Sequence, residues 1–119
     1  MRVYVAAPWT HRDEARRVGW LVEASGHTIT WPWWVHEVGD EEYGRMALLA
    51  RHDINGVVTA DALLLLNIER SEGKAVEQGI AIMEGVPIFG VGRPTNIFQH
   101  LSVYEWFDTV REAIANLHS

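Results

Sequence analysis

The sequence predicts an α/β protein, doubly wound around a mainly parallel sheet of five strands. Two observations carry this. Short β-rich runs alternate with amphipathic helical stretches along the whole chain. The central run A60-D-A-L-L-L-L-N67 also lacks polar alternation, as a strand covered on both faces requires.

The elements follow in order. R2-V-Y-V-A6 reads as a first strand, ended by A7-P-W-T10, where proline stops the ladder. Thr10 followed by Asp13 reads as a helix start, with Ala15, Val18, Leu21 and Val22 at helical spacing up to Ser25-Gly26. H27-T-I-T-W31 is a second strand, broken by the cluster W31-P-W-W34. Acidic residues from Asp40 then lead into a helix carrying Met46, Leu48, Leu49 and Ile54, expected to stop near Gly56. D61 to N67 is the third strand, Lys74 to Glu84 a helix, and V86-P-I-F-G-V-G92 a fourth strand. R93-P-T-N-I-F-Q-H100 is a loop or short turn, Y104-E-W-F107 a last strand, and a closing helix runs from Asp108, as N-cap, to His118. The expected architecture is a three-layer sandwich of flavodoxin-like or Rossmann-like type, with residues 1–119 forming one domain.

Composition narrows the function. A chain of 119 residues that is 48% hydrophobic can build one core and no more. It contains no cysteine, so disulfides, thiolate chemistry and cysteine zinc sites are excluded. A net charge of −6 and a single lysine, Lys74, argue against nucleic-acid polymers as partners. No signal-peptide pattern and no membrane-length apolar run is present, so the expectation is a cytoplasmic protein binding a small ligand. The six histidines show no metal-ligand spacing, and neither a phosphate loop nor G-x-G-x-x-G occurs; no metal and no cofactor is expected. A receiver domain would need acidic residues ending strands one and three, where Ala6-Ala7 and Asn67 stand. A serine hydrolase would need a G-x-S-x-G elbow.

In doubly wound sheets ligands sit outside the carboxyl ends of the strands. The turn containing Ser71 and Gly73 opens a helix whose free N–H groups favour an anion, and Glu77 follows about one turn in. A glutamate on a helix is ordinarily solvated. Here Ala75, Val76, Gly79, Ile80 and Ala81 leave little polar surface around it, and a mid-helix glycine costs roughly 1 kcal/mol against alanine, which close packing or a ligand would explain.

Four stretches, V3-Y-V-A-A-P-W9, A50-R-H-D-I-N-G56, S71-E-G-K-A-V-E-Q-G-I-A81 and P94-T-N-I-F98, resemble the nucleoside 2-deoxyribosyltransferase superfamily, which also contains 2'-deoxynucleoside 5'-monophosphate N-hydrolases. The likeness spans nearly the whole chain in the right order. It implies that Glu77 is the nucleophile that attacks the sugar anomeric carbon, and a carboxylate beneath that carbon suits the oxocarbenium character of the reaction. Tyr4 matches a tyrosine that orients the nucleophile, although a packed strand aromatic is the plain alternative. Asp53 matches an aspartate of the base or sugar pocket able to help protonate the leaving base, the alternative being a helix-end cap.

The resemblance further implies that Asn96 is contributed to a neighbouring subunit's site, hence at least a homodimer. Ala7 and Trp9 fall at the pocket wall, with Trp31, Trp33 and Trp34 as further stacking candidates or simply as core and interface residues. Six residues before Glu77, where transferases acting on nucleosides often carry aspartate, this chain has Ser71. That resembles the nucleotide N-hydrolases, and Ser71, Gly73 and Lys74, aided by Thr10 and Arg12, would suit a 5'-phosphate. A7-P-W, in turn, lacks the glycine expected where a backbone closely approaches phosphate. The expected activity is cleavage of an N-glycosidic bond with transfer of the sugar to another base. Water as acceptor, or a non-catalytic nucleotide-binding module, are the alternatives.

Overall fold

The computed structural model describes residues 1–36 and 43–118. Five strands form one parallel sheet: β1 (Arg2–Ala6), β2 (Thr28–Ile29), β3 (Ala62–Leu66), β4 (Ile88–Val91) and β5 (Tyr104–Phe107), in the spatial order β2-β1-β3-β4-β5. The order reverses between β1 and β3. The crevice above that reversal is where a doubly wound sheet accepts a ligand.

β3 is buried at every residue because both of its neighbours are strands and both of its faces are covered. Helices α1 (Arg12–Ala24) and α4 (Val110–Ala115) pack on each other, as do α2 (Tyr43–Val58) and α3 (Glu72–Glu84). Chain order and the right-handed crossover rule put the two pairs on opposite faces, completing three layers. The sheet core is made by Val3, Val5 and Leu63 to Leu66, with Val18 and Val22 of α1 and Val57 of α2 closing it.

Several element ends differ from the sequence reading. β2 joins the ladder only at Thr28 and Ile29, an edge strand cut short before Pro32, though Thr30 N–H still donates to Val3 O at 2.9 Å. α1 begins at Arg12 after a 3₁₀ turn, Trp9–His11, and Thr10 caps nothing, because its hydroxyl is directed elsewhere. α3 begins two residues earlier than expected, at Glu72, with Ser71 Oγ accepting from Lys74 N–H at 3.2 Å. The cap of α4 is Thr109, whose side chain accepts from Glu112 N–H at 3.1 Å; Asp108 stands one residue too early, and the helix stops at Ala115. The acidic lead-in at Asp40 lies outside the described residues.

Gly56 does not stop α2, which continues to Val58. A Cβ there would stand 2.8 Å from Trp31 Cβ and 2.9 Å from the Tyr4 ring, so the glycine lets α2 close onto the β1 crevice. Gly79 behaves otherwise: a Cβ there would meet nothing within 4 Å among the described residues, so packing among them does not account for it.

Candidate active site

Three ionisable side chains from three elements converge on the crevice. Tyr4, fully buried on β1, donates its hydroxyl to Glu77 Oε2 on α3. Burial, and then the carboxylates of Glu77 and Asp53, raise the Tyr4 pKa, so the phenol stays a donor. Glu77 remains partly accessible, yet its carboxyl group sits deep enough that burial pushes its pKa up to about 8; the Tyr4 hydrogen bond opposes this and the Asp53 charge adds to it. Burial likewise raises Asp53 on α2, opposed by the Trp31 indole N–H and by His52 and His36. Among the described residues Trp31 Nε1 has no partner meeting hydrogen-bond geometry, so its effect on Asp53 is that of a nearby dipole.

Asp53 borders a hollow of about 210 Å³ walled by Trp9, Trp31, Trp33, His36 and Leu49. Trp31 is held between two imidazoles, His36 at 4.7 Å and His52 at 4.5 Å between ring centres, both nearly parallel to it. Trp33 is fixed by its indole N–H donating to Val5 O at 2.7 Å. Trp9 is 41% exposed, with its ring 6.0 Å from Trp33 and the Arg12 guanidinium 5.0 Å above it. Trp34 faces away, against Gly19 of α1. Ala7, buried at the exit of β1, carries the chain toward this wall.

A second, larger cavity of about 570 Å³ opens beside the start of α3, lined among others by Glu69, Ser71, Lys74, Asn96 and Gln99. Lys74 is buried, and burial lowers its pKa against the pull of Glu69. Its Nζ donates to Asn67 Oδ1 at 3.1 Å and to Glu69 O at 2.5 Å. Behind it lies a closed polar network. Gln99, 2% exposed, accepts from Thr95 N–H (2.8 Å) and Asn67 Nδ2 (3.1 Å) and donates to Gln78 Oε1 (3.0 Å), which also accepts from the Tyr104 hydroxyl (2.7 Å). Each amide that burial strips of water is thereby satisfied. Asn96 is exposed; its Oδ1 accepts from Phe98 and Gln99 N–H, which leaves only its Nδ2 free to reach outward. Gly73 is exposed on the first turn of α3.

Beyond the Tyr4–Glu77 pair, the sequence-predicted residues form two groups. Asp53 and Trp9 border the tryptophan hollow, whereas Ser71, Lys74 and Asn96 border the larger cavity. Glu69, Gln78, Gln99 and the His36–Trp31–His52 stack went unnoticed in the sequence. Only Gln78 left a trace there, as a second polar residue within the small, apolar stretch that drew notice to Glu77. Asp53 lies inside α2 and caps no helix end.

The fold has known counterparts. Superposed on a 2-deoxyribosyltransferase from the psychrotolerant bacterium Bacillus psychrosaccharolyticus, the chain gives a TM-score of 0.76 at 19% identity, covering 99% of this chain and 93% of that one. This chain has the fold of a 2-deoxyribosyltransferase. The CMP N-glycosidase BcmB of Clostridium botulinum gives a TM-score of 0.63 at 17% identity, covering 97% of this chain and 96% of that one. A conserved protein from Enterococcus faecalis V583 gives 0.60 at 18% identity, covering 97% and 86% respectively. No family model and no curated protein matches the chain. The doubly wound, flavodoxin-like fold expected from the sequence is the fold these structures share with the chain. Among the described residues no helix is long and apolar enough to cross a membrane.

Proposed function

We propose that the protein is an N-glycosyl-processing enzyme that cleaves the base from a 2'-deoxyribonucleoside or its 5'-monophosphate and transfers the sugar to another base. The observation that carries this reading is the hydrogen bond from Tyr4 to Glu77 at the β1/β3 reversal, in a chain whose structural neighbours include a 2-deoxyribosyltransferase.

The chemistry follows from the pair. Tyr4 holds Oε2, so Oε1 of ionised Glu77 is free to attack the anomeric carbon from the face opposite the base. A C1'–O bond forms and the C1'–N bond breaks, its electron pair leaving with the base. Asp53, its pKa raised by burial, supplies the proton the departing base takes up. A nitrogen of an incoming base then attacks C1', gives its proton to Asp53, and releases Glu77 as a carboxylate. Burial makes Glu77 a stronger base than a surface glutamate and so a better nucleophile once ionised. The Asp53 charge adds to the cost of ionising Glu77, so attack by Glu77 is favoured when Asp53 carries the proton. The hollow walled by Trp9, Trp31 and Trp33 suits a flat base beside Asp53.

The second reading is hydrolysis, water replacing the incoming base. Ser71 in the place of an aspartate and the likeness to a CMP N-glycosidase favour it. We assign the chain to a homodimer, or a higher homo-oligomer, with Asn96 shared across the contact: Asn96 is exposed beside Ile97 and Phe98, which are 79% and 63% exposed. A cytoplasmic role in nucleotide salvage accords with such an activity.

Incubation with deoxynucleosides and deoxynucleoside monophosphates, with and without an acceptor base, tests the proposal. Base exchange that needs the acceptor supports transfer, and base release in water supports hydrolysis. Binding without either sinks the enzyme reading.

A further inference from the structure

We propose that His36, Trp31 and His52 form a positioning stack for Asp53: the two imidazoles clamp the indole so that its N–H donates to the carboxylate left on Asp53 once the proton has passed to the departing base. This rests on the reading above, in which Asp53 is that acid, and deepens it. The Asp53 O–H bond breaks as the N–H bond of the base forms, and the indole keeps its own proton throughout.

Trp31 is fixed from three directions. Its ring lies nearly parallel to His36, just past the 3₁₀ turn Trp33–Val35, and on its other stack to His52 of α2. His52 and Gly56 stand four residues apart, one turn along the same face of α2. That face grips the tryptophan: His52 stacks on the ring, and the bare backbone of Gly56 leaves room for Trp31 Cβ and for the Tyr4 ring. The preceding residue is tied to the same turn, Thr30 Oγ1 donating to Gly56 O at 2.7 Å. The indole cannot turn without breaking both stacks.

The clamped ring brings its N–H to the group that needs it. Asp53 follows His52 directly on α2, and Trp31 and Asp53 border the same hollow. Among the described residues the indole N–H is buried without a bonded partner, yet it is close enough to the Asp53 carboxyl group to favour its ionised form. A carboxylate accepts more strongly than a protonated carboxyl group, and hydrogen bonds to a catalytic acid often tighten only along the reaction. The other ionisable groups facing Asp53 are Tyr4 on β1, Glu77 on α3, His36 and His52. Tyr4 already donates its hydroxyl to Glu77, and the two imidazoles lie flat against the indole. Among the described residues the indole N–H is thus the donor at hand for the Asp53 carboxylate.

Three variants of the full chain test this. Trp31→Phe keeps a flat ring between the imidazoles and removes only the N–H. His52→Ala opens the clamp at an exposed position, and His52→Phe restores a flat face there. NMR of the aspartate carboxyl carbons follows the Asp53 titration, assigned by its absence from Asp53→Asn. That titration should move to higher pH in Trp31→Phe and in His52→Ala, and less in His52→Phe; the indole proton of Trp31 in wild type should shift along with it. Kinetics are read at a pH below that titration, where Asp53 is protonated in every form. There the ratio of kcat for a natural base to kcat for a leaving group that needs no protonation should fall at least about fivefold in Trp31→Phe and His52→Ala, and stay within about twofold of wild type in His52→Phe. An Asp53 titration unmoved by Trp31→Phe, equal losses on both leaving groups, or a His52→Phe no better than His52→Ala overturns the proposal. Should no substrate release base, the enzyme reading fails separately, and the carboxyl titration with the indole shift decides the role of the stack.

Discussion

The Tyr4 hydroxyl donates to the Glu77 carboxylate, joining the middle of β1 to the second turn of α3. If that bond orients the nucleophile, Tyr4→Phe should lower kcat/KM by about 10- to 100-fold while costing about 1 kcal/mol of stability. The bond also holds the Glu77 pKa down, so its loss should move the acid limb of the pH–rate profile to higher pH. An unmoved limb would reduce Tyr4 to a packed aromatic.

Glu77 itself sets that limb. Its pKa is pushed up to about 8, and the reaction needs Glu77 ionised while Asp53 still holds its proton, so kcat/KM should rise with pH through the Glu77 ionisation and fall again once Asp53 loses its proton. A profile already flat at pH 6 contradicts this assignment.

Stability should vary in the opposite sense. A carboxyl whose folded pKa lies above its unfolded value of 4.5 contributes stability that is complete below 4.5 and is lost as pH rises through 8. Glu77→Gln removes the titration. Urea midpoints should therefore show the variant gaining roughly 2–4 kcal/mol on wild type between about pH 5 and about pH 9. Parallel curves would mean that Glu77 is solvated.

Asp53→Asn separates the acid from the nucleophile. It can no longer supply a proton, so turnover should fall by about 100-fold with natural bases and far less with a leaving group that needs no protonation. Removing the Asp53 charge also takes away one cause of the raised Glu77 pKa, so the acid limb should move to lower pH, the reverse of Tyr4→Phe. Equal losses on both kinds of leaving group would place Asp53 in binding alone.

Gln99→Leu should cost about 2–4 kcal/mol in thermal or urea unfolding, because Thr95 N–H, Asn67 and Gln78 all lose a buried partner at once. Unchanged stability would show that water replaces the amide.

The strand sequence and the helix bearing Glu77 were legible because each depends on local pattern: the unbroken apolar run of β3, the glycines around β4, the small residues after Ser71. Helix ends were less so. Asp108 and Thr109 are both good caps, and only where β5 releases the backbone decides between them. Long-range pairings left almost no mark. Glu69 meets Thr10 across 59 residues and Gln99 meets Asn67 across 32, contacts that follow from strand order and from no spacing along the chain. Gly56 shows the same limit: it looks like a helix stop, and its purpose is visible only when the Tyr4 ring and Trp31 are in place beside it.

The central claim is that Glu77 carries the sugar between two half-reactions. The most direct test is to mix the protein with a deoxynucleoside in the absence of an acceptor base, quench in acid, and identify modified peptides by mass spectrometry. The account predicts a deoxyribosyl ester on the peptide containing Glu77, absent from Glu77→Gln and discharged by adding a base. Base release by wild type and by Glu77→Gln at equal rates, with no adduct on that peptide, would contradict it.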